Sequence, residues 1–210
     1  AVERIAPLLA RARENLKQYG FAAPQETNPV PCRLEQVLED IILWPRKEAR
    51  SRNVVIEYAP CAGQVPDLWA DPAQLKQVLL NLVINAIHAM PDGGNIHIGM
   101  CAGRRGAKDD REPRRMRFCI CDTGDGIPPA VRAKIFDPFF TTRPDGSGLG
   151  LAVVKKIVQQ HGAEISLEST PGQGTCFELG WPIAPTWSPS MPNPSGPTGR
   201  ATRCRRKTHG

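Results

Sequence analysis

The stretch "IFDPFFTTRPDGSGLGLAVVKK", residues 135–156, limits the possible folds more than any other segment of the chain. Phe136, Phe139 and Phe140 call for burial, yet Pro138, Pro144, Gly146 and Gly148 break any regular helix or strand running through them. From Gly148 the sequence reads as a helix to about Gln160, stopped by His161-Gly162. The chain must therefore pack an irregular apolar loop against a core and feed it straight into a helix. Such a start offers unpaired backbone N–H groups and the positive end of a helix dipole. Gly146, Gly148 and Gly150 let a ligand come close, Ser147 and Leu149 lie between them, and Thr141, Thr142 and Arg143 add hydroxyls and a cation. A polyphosphate suits that chemistry. No G-x-x-x-x-G-K-[ST] occurs and no strand leads directly into the glycines, so this is neither a P-loop nor a dinucleotide fingerprint.

The remaining elements fix the fold class. Residues 3–19 carry Ile5, Leu8, Leu9, Ala12, Leu16 and Tyr19 at helical spacing, and "AAPQETNPVP" reads as a linker. Leu34, Val37, Leu38, Ile41 and Ile42 predict an amphipathic helix that Pro45 kinks. "NVVIEYA" predicts a strand. Asp71-Pro72 predicts a helix start, with Gln74 placed for a capping box, and the helix runs to about Met90. "NIHIGM" and "RMRFCIC" read as strands, and "AEISLEST" and "GTCFELGW" as a final hairpin around "PGQG". Helices and strands in this mixed order, with several hairpins, favour a two-layer α/β sandwich with a mixed sheet over a doubly wound parallel sheet.

Charge and cysteine content exclude several classes. Of the formal net charge of +6, residues 182–210 supply five through Arg200, Arg203, Arg205, Arg206 and Lys207, with no acid among them. The rest is nearly neutral, so no basic globular surface for nucleic acid is indicated. The Pro- and Ser-rich composition after Trp181 predicts a disordered basic tail. The seven cysteines are scattered without a C-x-x-C pair, which argues against a zinc site and for reduced thiols in a cytosolic protein. Cys119 and Cys121 lie two apart in one strand, which is poor geometry for a disulfide between them.

Two further blocks carry chemistry. In "QVLLNLVINAIHAM", Asn81 and Asn85 fall four apart on one helix face. In isolation the pair reads as solvent decoration; beside a phosphate, an amide oxygen can serve a hard cation such as Mg²⁺. In "CDTGDGIP", Asp122 ends an apolar strand and Gly124 and Gly126 follow. An Asp-Gly turn is the plain reading. The sharper one is a buried carboxylate that accepts a hydrogen bond from an exocyclic amine, with glycines admitting a flat base. That carboxylate separates adenine from guanine, because a polar group left unpaired rejects the wrong partner strongly.

Four blocks in order, "NLVINA", "DTGDGI", "FDPFF" and "GSGLGL", resemble the N, G1, F and G2 boxes of the catalytic ATP-binding domain of histidine kinases. The resemblance covers about residues 30–181, and the wording "FDPFFTTRPDGSGLGLAVVKKIVQQHG" is most similar to sensor kinases of the nitrogen-regulation type. It implies the Bergerat-type sandwich shared with gyrase, heat-shock chaperone and mismatch-repair ATPases, with ATP and Mg²⁺ as cofactors. It implies that Asn85 holds Mg²⁺ with Asn81 and His88 beside the phosphates. Asp122 would read the adenine amine, with Gly124, Gly126 and Ile127 lining the base and Thr175 supporting it. Residues from about 128 to 147 would form a lid anchored by Phe136 and Phe140. Thr141, Thr142, Arg143, Gly146, Ser147, Gly148, Leu149 and Gly150 would surround the phosphates, with Arg143 and Asn81 acting in catalysis. Two departures stand out. Asn81 occupies the place of the glutamate that activates water in the related ATPases, and an amide cannot act as that base. His88 stands where many histidine kinases have lysine.

The family also needs an acceptor histidine upstream. His88, His97, His161 and His209 fall in a helix, a strand, a helix end and the tail, so none fits. By resemblance, residues 1–22 form the end of a dimerisation helix, 23–29 a linker, 30–181 the catalytic domain and 182–210 the tail. The expectation is a protein-histidine kinase domain whose acceptor lies on an upstream or partner dimerisation domain. The full-length protein would be a homodimer that passes the phosphoryl group to a response-regulator aspartate. The location would be cytoplasmic, with the parent protein anchored at a membrane or free of it. The alternatives are a serine/threonine kinase of the same superfamily and a nucleotide-binding module without transfer.

Overall fold

The computed structural model describes residues 27–43, 45–59, 65–101, 115–143 and 146–185. The expected helix over residues 3–19, the tail beyond residue 185 and the connection at 102–114 lie outside them. In chain order the elements are β1 (Val30–Cys32), α1 (Leu34–Leu43), α2 (Arg46–Ser51), β2 (Val54–Ala59), β3 (Leu68–Ala70), α3 (Pro72–His88), β4 (Gly94–Cys101), β5 (Arg115–Asp122), α4 (Pro129–Arg132), α5 (Gly150–Gln160), β6 (Glu164–Thr170) and β7 (Gly174–Pro182).

The main sheet has the order β2-β4-β5-β7-β6, parallel between β2 and β4 and antiparallel elsewhere. A small antiparallel pair joins β1 to β3. Residues alternate faces along a strand. Met116, Phe118 and Ile120 of β5 and Phe177, Leu179 and Trp181 of β7 point one way and are buried. They meet Leu75, Val78, Leu79, Leu82, Val83, Ala86 and Ile87 of α3 and Val153, Val154, Ile157 and Val158 of α5. α3 packs between α1 and α5. This is the expected mixed sheet under a helix layer.

The Asp71 cap forms as its sequence predicts, accepting from the N–H groups of Ala73 and Gln74 at 3.0 and 3.2 Å. The second arm of the capping box does not appear: Gln74 is buried and its Oε1 has no hydrogen-bond partner. A further anchor holds this helix start. His161, at the end of α5, accepts from the Asp71 N–H through Nε2 at 3.0 Å, and its Nδ1 lies 2.9 Å from the Ile157 carbonyl. The ring also stands 5.0 Å from that of Trp181. One imidazole therefore ties the C-terminal end of α5 to the N-terminal end of α3.

Several expectations give way. Pro45 separates two helices, α1 and α2, where a single kinked one was expected. The proline-rich wording that reads as a linker runs into β1, where Val30 and Pro31 pair with Ala70 and Trp69. Packing continues past Trp181: Ile183 bridges Leu68 and Ala184 is buried. The reduced-thiol expectation fails at one place, since Cys121 and Cys176 form a disulfide. The two sit directly opposite each other in the β5–β7 ladder, a pairing across 55 residues of sequence that spacing alone does not reveal.

Candidate functional site

β5 ends by carrying Asp122 into the interior, where the residue is 7% exposed. Its Oδ1 accepts from the Gly124 N–H at 2.9 Å and the Thr175 N–H at 3.1 Å. Two backbone donors thus fix one oxygen and set the orientation of the carboxylate. The Gly124 position is crowded: a Cβ there would lie 2.4 Å from the Ala89 carbonyl oxygen, at the end of α3. Gly126 has φ +70°, and a Cβ would stand 2.2 Å from the Thr170 oxygen. Only glycine lets this turn pass so close to α3 and β6.

Behind the turn lies a residue the motifs do not contain. Ser169 is buried in β6; its Oγ accepts from the Ile127 N–H at 2.7 Å, donates to the Gly174 carbonyl at 3.1 Å and stands 3.0 Å from Thr175 Oγ1. Arg132 reinforces the same junction by donating to the carbonyls of Ile127 and Ser169. A buried serine in an otherwise alternating strand was the available signal; its partners are long-range and were not readable.

The second half of the site is a meeting of helices. Asn81, Asn85 and His88 lie half-buried along one edge of α3, outside its buried stripe. α5 begins beside them: a Cβ on Gly150 would be 3.8 Å from both Asn81 Oδ1 and Asn85 Nδ2. No side chain caps α5, so the N–H groups of its first turn keep their capacity for a ligand. Gly148 has φ +68° and passes against the Phe139 backbone, and Leu149 is buried at the cap position. Ser147 Oγ accepts from the Leu149 N–H at 3.4 Å.

The intervening loop is held as expected by Phe136 and Phe140, both packed on the core with Ile135 beneath them. Phe139 departs from expectation. It is 60% exposed and left-handed at φ 66°, because the backbone must turn there to meet Gly148. Thr141 and Thr142 are exposed, and Thr141 Oγ1 accepts from the Arg143 N–H at 3.1 Å, closing the loop tip. A Cβ on Gly146 would fall 2.3 Å from that same Oγ1.

Arg143 reaches back across the cleft and donates to Asn85 Oδ1 at 3.4 Å. Partial burial and the nearby Arg52 cation lower its pKa from the ordinary value. His88 stands 3.5 Å from Glu48 of α2. Burial, reinforced by Arg143 and Arg52, holds its imidazole below the usual range against the pull of Glu48. Surplus positive charge at this edge favours an anion. Asn81 Nδ2 is buried without a hydrogen-bond partner, a donor awaiting an acceptor. Asn85 offers the hard oxygen suited to Mg²⁺. The residues present therefore fit a magnesium-bound polyphosphate. The structure brings Thr175 to Asp122 and sets Gly124 against Ala89 at the end of α3, and further along that helix it brings Asn81, Asn85, Gly150 and Arg143 together.

Comparison with known proteins agrees. The family described as histidine kinase-, DNA gyrase B- and HSP90-like ATPase matches residues 70–185. The sensor histidine kinase ZraS of Escherichia coli (strain K12) is 38% identical over 185 residues, covering 86% of this chain and 38% of that protein. Full-length ShkA, solved in complex with AMPPNP, superposes with a TM-score of 0.67 at 28% identity, over 84% of this chain and 36% of that one. The nucleotide-free catalytic domain of the histidine kinase ThkA gives 0.61 at 29% identity, over 76% of this chain and 97% of that domain. The chain thus spans well under half the length of its ZraS relative. The fold, the ordered motifs and the matched 70–185 segment together place the chain in the histidine kinase-, DNA gyrase B- and HSP90-like ATPase family.

Proposed function

We propose that this chain carries the ATP-binding catalytic domain of a two-component sensor histidine kinase, which transfers the γ-phosphoryl group of Mg-ATP to a histidine on a dimerisation domain. The observation that carries the reading is the Asp122 carboxylate, buried and fixed by two backbone donors, in a turn that touches the end of α3, the helix whose Asn81 and Asn85 stand beside Gly150. A carboxylate accepts from the exocyclic amine of adenine, while guanine presents a carbonyl at that position.

At the phosphate end, the free N–H groups of α5 and the Arg143 guanidinium would meet the charge that develops on the transferred group. Asn81 Nδ2 would donate to a phosphate oxygen and so gain the partner it lacks. Mg²⁺, which Asn85 would hold, would supply neutralisation of the phosphate charge. For that, Arg143 must exchange Asn85 Oδ1 for phosphate, so lid and metal ligand move together. At position 81 an amide replaces the carboxylate that would deprotonate water, which favours transfer to a separate acceptor over hydrolysis.

The acceptor imidazole would come from a dimerisation domain of the same protein or of its dimer partner, and the phosphoryl group would pass on to a response-regulator aspartate. The test is equilibrium binding of ATP with and without Mg²⁺. Wild-type protein binds in a Mg²⁺-dependent manner. Asn85→Ala loses the Mg²⁺ dependence, and Asp122→Ala weakens binding by about tenfold or more, the effect of removing a charge-assisted hydrogen bond. Unchanged binding in both variants contradicts the proposal.

A further inference from the structure

On the sheet face opposite the helices, β5 presents Cys119 and Cys121 at alternate positions, and β7 presents Cys176 directly opposite Cys121. The Cα atoms of Cys121 and Cys176 are 3.9 Å apart, so their sulfurs remain neighbours whether or not they are bonded. Cys119 brings a third sulfur, outside that disulfide. All three sulfur atoms lie within 4.8 Å of one another. β4 adds His97, half-buried and opposite Cys121 in the ladder, so thiol and imidazole donors come from three adjacent strands.

Three thiolates on a rigid sheet match the needs of a borderline-soft cation. Zinc–sulfur bonds of about 2.3 Å in a tetrahedron separate the sulfurs by about 3.8 Å. Once the disulfide is cleaved, side-chain rotation parts the Cys121 and Cys176 sulfurs and brings in that of Cys119. Cys121 and Cys176 are half-buried, which gives the ion a way in, while Cys119 is buried and shields it from water.

We propose that, in the reduced protein, Cys119, Cys121 and Cys176 form a binding site for a thiophilic divalent cation of the Zn²⁺ type. A dithiol or phosphine reductant first cleaves the Cys121–Cys176 bond: two electrons and two protons arrive, and two thiols result. Binding then releases three protons as three thiolates take up one M²⁺. The disulfide and the metal complex are mutually exclusive states of one cluster. Its position gives it reach into the other face of the sheet. Cys121 adjoins Asp122 and Cys176 adjoins Thr175, the pair joined by the 3.1 Å hydrogen bond across β5 and β7. The cation site itself rests on the sulfur geometry alone and stands or falls independently of the nucleotide reading.

The experiment is titration of the full, phosphine-reduced chain with Co²⁺, a coloured stand-in for Zn²⁺, followed by displacement with Zn²⁺. A variant with Cys32, Cys61, Cys101 and Cys204 all changed to Ser keeps only the trio. The expected result is one equivalent of Co²⁺ with thiolate charge-transfer absorption, kept in that variant and released by Zn²⁺. Cys176→Ser and Cys119→Ala each weaken it at least tenfold, and oxidation abolishes it. A circular-dichroism spectrum matching wild type shows that these two variants fold. Absence of the absorption, its loss in the four-serine variant, or its persistence at full strength in Cys176→Ser overturns the proposal.

Discussion

At the scale of single residues, the site depends on positions where chemistry and backbone leave no alternative. Gly126 is one. An alanine there would keep a left-handed backbone and drive its Cβ against the Thr170 carbonyl, so the turn or the end of β6 must move. Gly126→Ala is expected to cost about 3 kcal/mol of folding stability, from left-handed strain together with backbone displacement. Chemical denaturation measures it. His88 is another. Its folded-state pKa lies below the ordinary 6.5, chiefly through burial. As pH falls from that value, the unfolded chain takes up a proton that the folded chain still refuses, and stability drops. Above it, both states are neutral and the effect is gone. Denaturation midpoints from pH 7.5 downward should therefore fall more steeply in the wild type than in His88→Gln. The polar residues of the candidate site were named because four blocks in order resemble a known family; alone, the asparagine pair reads as surface decoration and the Asp122 block as an ordinary turn. Ser169 was not, because its three partners come from the Ile127 turn and the β6–β7 hairpin, and only folding unites them. Phe139 misled for the opposite reason: its side chain is apolar, but the left-handed turn against Gly148 sends it outward.

At the scale of elements, two helices, α3 and α5, meet at the Asn81–Gly150 junction, and His161 ties the end of one to the start of the other. The Asp71 side chain caps α3, while its backbone N–H is held by His161 from α5. Asp71→Ala should cost about 1 kcal/mol, the usual value of an N-cap, and lower the thermal midpoint by a few degrees. Asp71→Ser keeps an acceptor and should recover most of it. Pattern reading revealed α1, α3 and α5 through their apolar stripes and the five strands of the main sheet through β-branched or apolar runs between turn residues. It missed β1 and β3. These have three residues each, too few for an alternation to register, and they exist because they pair with each other. The second arm of the capping box failed because Gln74 is drawn into the core.

At the scale of the whole molecule, layer architecture followed from the order of elements, whereas strand order did not. The β5–β7 pairing sets Cys121 against Cys176 and Asp122 near Thr175, and that neighbourhood holds both the buried Asp122 carboxylate and the thiol cluster. No helix among the described residues is long and apolar enough to cross a membrane. In the proposed function the chain is one half of a reaction: it binds ATP, and a histidine on another segment accepts the phosphoryl group. The most direct measurement supplies γ-labelled Mg-ATP to this chain together with a histidine-bearing dimerisation domain and follows the label on protein. The expected label is lost in acid and kept in alkali, and at ATP concentrations below saturation it falls by about tenfold or more when Asp122→Ala replaces the wild type. Acid-stable label, or none on the acceptor despite bound ATP, would contradict it.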